Sequence, residues 1–172
     1  MEVRRLRTGE GERIRELRLR ALREAPYAFS SSAAQEESDP LTAWEDLARR
    51  SERARTDVVF VAVDGERWVG MAGGYLHEDD AEAAGLWGMW VDRAARGGGV
   101  ARELLDAVAG WARARGAARL ELSVSDGAAA AAALYRASGF APTGVERRLA
   151  SDPCLTEIVL SRSLVTPDSR PA

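Results

Sequence analysis

The chain contains no lysine; each of its 24 basic residues is an arginine. That excludes a Walker-type phosphate loop, which needs its lysine, and any lysine Schiff base. Asparagine is missing as well. Both residues have A-rich codons, so the two absences read as the imprint of a GC-rich genome. Cysteine occurs once, as Cys154, so no internal disulfide can form. It lies in the loop-like stretch SDPCL, far in sequence from the single histidine, His77, and reads as a bystander thiol. With one Cys and one His, a zinc site would have to lean on carboxylates, so no metal is expected. No apolar run is long enough to span a bilayer. The opening MEVRRLRTGEGER lacks the apolar stretch of a secretory signal. These absences predict a cytoplasmic protein with no membrane partner. A basic excess is also wanting: the net charge is −3 and the pI about 5.4, which argues against nucleic acid as a partner.

What is present suits one folded domain. The 172 residues are 46% hydrophobic and 30% charged. Alternation predicts an opening strand over Val3–Arg7. Ile14, Leu17, Leu19 and Leu22 then predict a helix over Glu10–Glu24, capped by Thr8 or Gly9 and ended before Pro26. The many arginines of this region read as a solvated helix face partnered by Glu12, Glu16 and Glu24; the alternative is a surface for an anionic ligand. Residues 27–40 read as a polar loop, and Thr42–Arg50 as a short helix. Strands follow over Val58–Val63 and Trp68–Leu76, joined by an Asp64-Gly65 turn, and over Leu86–Val91 after an acidic loop. The pattern then becomes helix Gly99–Arg115, strand Leu120–Val124 and helix Ala128–Ser138. Strands Phe140–Arg147 and Thr156–Arg162 close the chain. The expectation is a single mixed α/β (α+β) domain over residues 1–165, with 166–172 as a disordered tail.

The most informative segment is GLWGMWVDRAARGGGVARELL. An apolar strand runs into a turn with Arg96 and three glycines, then into an amphipathic helix. Gly97, Gly98 and Gly99 let the backbone approach a ligand and take positive φ. The first N–H groups of the helix lack intrahelical partners and carry the positive end of its dipole. Together these features make an anion site suited to a phosphate or diphosphate. Arg96 and Arg102 can add charge-assisted bonds. Alone, three glycines are equally a flexible connection.

Arg96-Gly97-Gly98-Gly99-Val100-Ala101 resembles the pyrophosphate motif of the GNAT acetyltransferase superfamily, [Q/R]-x-x-G-x-[G/A]. A second segment, AAAAAALYRASGF over 128–140, is similar to the family's later short helix with L-Y ending in G-F. The resemblance implies a mixed, mostly antiparallel sheet flanked by helices, with one splayed strand pair. It implies acetyl-CoA as co-substrate, with its pantetheine arm on the backbone of Met89, Trp90 and Val91. The diphosphate would lie on the amides of Gly97 through Arg102. Tyr135 matches the tyrosine that protonates the departing thiolate, a role suited to a phenol. Two positions depart from the family. Ala128 stands where many members carry Asn, and Ser123 where protein N-terminal acetyltransferases place a glutamate base. Homodimers are common in the family.

The family's reaction is direct attack of an amine on the thioester, so the amine must lose a proton. Glu121 alternates with Ser123 on one face of its strand and is the candidate base, with Asp126 and His77 as others. The N–H of Val91 is the family-implied donor to the oxyanion. Glu36 and Glu37, in the polar loop, are placed to attract a cationic amine, with His77 as a further acceptor contact. The acceptor is expected to be an amine on a small molecule or peptide, antibiotics included. A non-catalytic acyl-CoA sensor is the alternative from another class.

Overall fold

Strand β2 (Asp57–Asp64) shows how the sheet is made. Val58, Phe60 and Ala62 pack into one core, while Val59, Val61 and Val63 pack into another. A strand buried on both faces must be apolar where it is covered, and this one is from Val58 to Val63. The structure, a computed structural model, describes residues 1–165, so the expected tail over 166–172 lies outside the described residues. Around β2 stand β1 (Glu2–Arg5), β3 (Arg67–Leu76), β4 (Ala83–Val91), β5 (Arg119–Ser125), β6 (Ala141–Leu149) and β7 (Asp152–Ser163). They form one seven-stranded sheet in the order β1-β2-β3-β4-β5-β7-β6. Every neighbouring pair is antiparallel except β4 with β5.

Helices cover both faces. α1 (Gly11–Glu24) and α3 (Leu41–Arg53) pack on one side over Leu6, Ile14, Leu22, Val59 and Met71. α4 (Val100–Ala114) lies on the other side across β2, β3 and β4, burying Leu104, Leu105 and Val108 completely. α5 (Ala129–Ala137) packs against β5 on the same side as α4.

Several expectations need correction. The polar stretch 27–40 is not all loop: a 3-10 turn spans Pro26–Ala28, and α2 (Ala33–Glu37) begins with a capping box between Ser32 and Gln35. α1 is capped by neither Thr8 nor Gly9; Glu10 holds that position, and the Glu45 carboxylate accepts from the Gly9 and Gly11 amides. α3 is longer than expected because Ala54 ends it, at φ 47°. β4 begins at Ala83 and β7 at Asp152, so Cys154 lies on an exposed strand and not in a loop.

Candidate functional site

The parallel junction of β4 and β5 builds the site. It is only three residue pairs long, from Ala83–Arg119 to Gly85–Glu121. Beyond it β5 continues to pair with β7, and β4 with β3, so the two strands part. A bulge sharpens the divergence: the register with β3 slips between Met71 and Gly73, and Gly88 sits there at φ 64°. The Asp92 amide donates to the Val69 carbonyl at 2.7 Å, across the Gly70–Val91 pair. That makes the pair non-hydrogen-bonded, so Val91 turns its own N–H and C=O away from β3, toward the opening. Strand alternation gives Met89 the same direction and turns the Trp90 backbone back toward β3.

At the end of β4 a 3-10 turn over Arg93–Ala95 leads to the glycines. Gly97 and Gly99 have φ 84° and 86°, and a Cβ on either would meet nothing within 4 Å. Among the described residues, the amides of Gly97, Gly98, Gly99, Val100 and Ala101 have no protein acceptor. They are five consecutive donors at the N-terminus of a 15-residue helix, which is a strong anion cradle. The expected run stops one residue short: the Arg102 amide donates to the Gly99 carbonyl at 2.9 Å. The two arginine side chains are also occupied. Arg96 donates through Nε to the Val91 carbonyl at 2.9 Å and pairs with Glu24 at 2.5 Å. It thus fixes the turn to the strand. Arg102 lies 4.0 Å from Asp106 on the exposed face of α4.

On the sheet face opposite α4, a cleft of about 430 Å³ opens between β4 and β5. The segment after α1 forms one rim, pinned down by Ser125 Oγ on the Tyr27 carbonyl and Ser151 Oγ on the Phe29 carbonyl. Glu121, Ser123 and His77 all line the cleft, with Tyr75, Trp87, Arg18, Arg147 and Glu157. Glu121 sits where the strands part. One of its oxygens accepts from Arg119 Nε at 2.8 Å, and the other lies 3.9 Å from His77 Nε2. Burial, then the Glu121 charge, push the Tyr75 phenol up, and Arg147 partly offsets them.

The structure places Glu36 and Glu37 elsewhere. Both are on α2, outside the cleft lining. Glu36 accepts from Arg18 Nε and Nη2 at 2.9 and 2.8 Å, and Glu37 pairs with Arg23. Their charges answer arginines of α1. Arg18 itself is only 6% exposed, with its guanidinium over the Phe29 and Trp87 rings. The sequence carried a signal for it: Arg18 is four residues from both Ile14 and Leu22, on the buried stripe of the helix. Arg147 and Glu157 had no such signal, being two polar residues among many on exposed strands.

Tyr135 stands on α5 at 5% exposure, its ring edge-on to Phe140 with centroids 5.8 Å apart. Its hydroxyl has no protein hydrogen-bond partner among the described residues. Burial pushes the phenol up, so it is protonated at neutral pH and able to donate. Among the described residues no group of three or more His, Cys, Asp or Glu could hold a metal ion, and no helix is long and apolar enough to cross a membrane.

A strand that leaves its neighbour, a glycine turn with orphan amides and a helix that buries Tyr135 beyond the gap are brought together here. The family model described as "Acetyltransferase (GNAT) family" matches residues 14–140, and the chain belongs to that family of acyltransferases. A mycothiol acetyltransferase of Beutenbergia cavernae is 37% identical over 97 residues, which cover 48% of this chain. This chain spans 33% of that relative's length. Two solved structures share the fold. A GNAT-family acetyltransferase of Streptococcus pneumoniae superposes with TM-score 0.81 at 17% identity, covering 94% of this chain and 98% of that one. Salmonella typhimurium yncA, solved with its cofactor acetyl-CoA, gives 0.77 at 16% identity, covering 100% and 98%.

Proposed function

We propose that this protein transfers the acetyl group of acetyl-CoA to a primary amine of a small molecule or peptide. The observation that carries the reading is the row of five partnerless amides, Gly97 to Ala101, beside the unpaired edge of β4. A diphosphate fits that cradle because backbone donors, a helix dipole and open space coincide there. The edge of β4 offers the Met89 N–H and C=O and the Val91 N–H to the amides of a pantetheine arm, the Val91 carbonyl already accepting from Arg96.

In this reading the thioester carbonyl lies near the Val91 N–H, which stabilises the oxyanion as the amine nitrogen adds. Glu121, acting through water, takes the proton the amine must lose, and Ser123 supplies a polar contact on the same wall. The C–S bond then breaks, and the thiolate takes a proton from Tyr135. His77 and Glu121 together face the incoming amine, the role first expected of Glu36 and Glu37. The test is release of free thiol from acetyl-CoA on adding an amine, with calorimetry for the cofactor. Cofactor binding without thiol release from any amine would leave an acyl-CoA sensor; no binding at millimolar acetyl-CoA would overturn the reading. A polycationic antibiotic is the less favoured acceptor, since the cleft sets Arg18 and Arg147 against Glu121 and Glu157.

A further inference from the structure

The charges that line the cleft differ in how far the protein answers them. Arg18 is matched by Glu36, and Glu121 is held on one side by Arg119. Arg148, next in sequence to Arg147, donates to the Pro153 carbonyl at 3.3 Å. Arg147 has no hydrogen bond and no ion pair among the described residues, although Glu157 stands directly across from it on β7. It is thus an exposed guanidinium on a strand wall, pointing into a cleft without a protein acceptor.

Register fixes where it stands. Ser125 on β5, Glu157 on β7 and Arg147 on β6 form one row across the sheet, and Glu121 lies four residues back along β5. Strand spacing and rise put the Cα atoms of Glu121 and Arg147 roughly 16 Å apart. Both are long side chains reaching into the same cleft, so the remaining span suits a small molecule. Tyr75, whose ring lies over Gly85 on the other side of Glu121, feels both charges. Phe29, Leu86, Trp87 and Val159 add apolar surface to a lining that is otherwise mostly polar.

We propose that the acceptor is an amine that also carries a carboxylate, an amino acid with an apolar side chain, and that Arg147 holds the carboxylate while the amine faces Glu121. This rests on the acetyltransferase reading and adds the substrate class. An acidic group stands at the reacting end and the partnerless Arg147 guanidinium at the other, beside the Glu157 carboxylate, which likewise has no hydrogen bond or ion pair among the described residues. A fork of guanidinium donors matches a carboxylate in geometry as well as charge. An alkylamine would leave Arg147 unanswered, and a polycation would be repelled by it.

The experiment compares phenylalanine, phenylalaninamide and phenethylamine as acceptors at saturating acetyl-CoA, with rates referred to the deprotonated amine. The wild type should use phenylalanine with a kcat/KM at least about tenfold above phenethylamine, mostly through KM, with the amide between them. Arg147→Gln, on an exposed strand where folding is undisturbed, should bring the three within about threefold of one another. Arg147→Lys should restore part of the preference. Equal use of phenylalanine and phenethylamine by the wild type overturns the proposal, as does an Arg147→Gln variant that keeps the wild-type preference. Calorimetric titration of phenylalanine into the protein with CoA bound gives a readout apart from turnover. Binding that Arg147→Gln weakens at least tenfold upholds the carboxylate site even if no amine releases thiol, an outcome that would count against the acetyltransferase reading alone. Absence of phenylalanine binding together with thiol release from phenethylamine sinks the carboxylate site and leaves the transferase standing.

Discussion

The two sides of the opening between β4 and β5 are made of different material. On the cofactor side the groups that face outward are backbone: the amides of Gly97 to Ala101 and the edge of β4. On the acceptor side they are side chains: Arg18, Tyr75, His77, Trp87, Glu121, Arg147 and Glu157, drawn from α1 and five strands. A wall of main chain keeps its donors in place when a side chain changes. A wall of side chains can be rebuilt residue by residue without disturbing the other.

The largest expected effect breaks the backbone wall itself. Gly99→Glu forces a side chain onto a residue at φ 86° and sets a carboxylate beside the cradle. The strain is worth about 1–2 kcal/mol and the charge adds to it, so acetyl-CoA affinity should fall at least about 100-fold by calorimetry. Next comes Tyr135→Phe, which keeps the packing against Phe140 and removes the donor. Turnover should drop about 10- to 100-fold while cofactor affinity changes less than about threefold. Equal losses in both would return Tyr135 to a packing role. Arg102→Ala sharpens the contrast from the other direction. Its side chain sits on Asp106 and its amide on the Gly99 carbonyl, so affinity should change by no more than about twofold. A tenfold loss would mean that the cradle depends on side chains after all.

The smallest effect is a control far from both walls. Burial pushes the Glu10 carboxyl up, but the hydrogen bond from Arg4, the Arg7 amide and the nearby arginine charges outweigh it and hold it below the usual range. Its folded value is depressed, so its contribution is present above the ordinary glutamate range near 4.5 and is lost as pH falls through the folded value. Glu10→Gln should lower the urea midpoint slightly at pH 7, by an amount equivalent to at most about 1 kcal/mol, and the difference should narrow as the pH falls below the ordinary glutamate range. Acetyl-CoA affinity should not respond.

The same contrast explains what could be read in advance. The glycine turn was legible because its chemistry lies in consecutive residues: an apolar strand, Gly97 to Gly99, then a helix. The positions of the strands along the chain followed from alternation and turn residues. Glu121 and His77 were singled out by period-two spacing and by residue type, and Ser123 by the resemblance; all three line the cleft. That Glu36 and Glu37 pair with Arg18 and Arg23 was not legible, because those arginines lie on another helix and no local pattern pairs them. The polar composition of 27–40 also hid α2, although Ser32 and Gln35 stand at capping-box spacing. Arg147 and Glu157 needed the β6–β7 register, which joins residues ten apart through two slips that spacing does not disclose.

The three-pair ladder between Ala83–Gly85 and Arg119–Glu121 is also the mechanical seam of the molecule. Four strands with α1, α3 and α4 stand on one side of it, and three strands with α5 on the other. An extended molecule lying along β4 beyond that ladder would stitch the two blocks together as an extra strand would. Stability would then rise with cofactor concentration by mass action. The feature that opens room for a thioester thus makes the protein's own rigidity depend on what fills it.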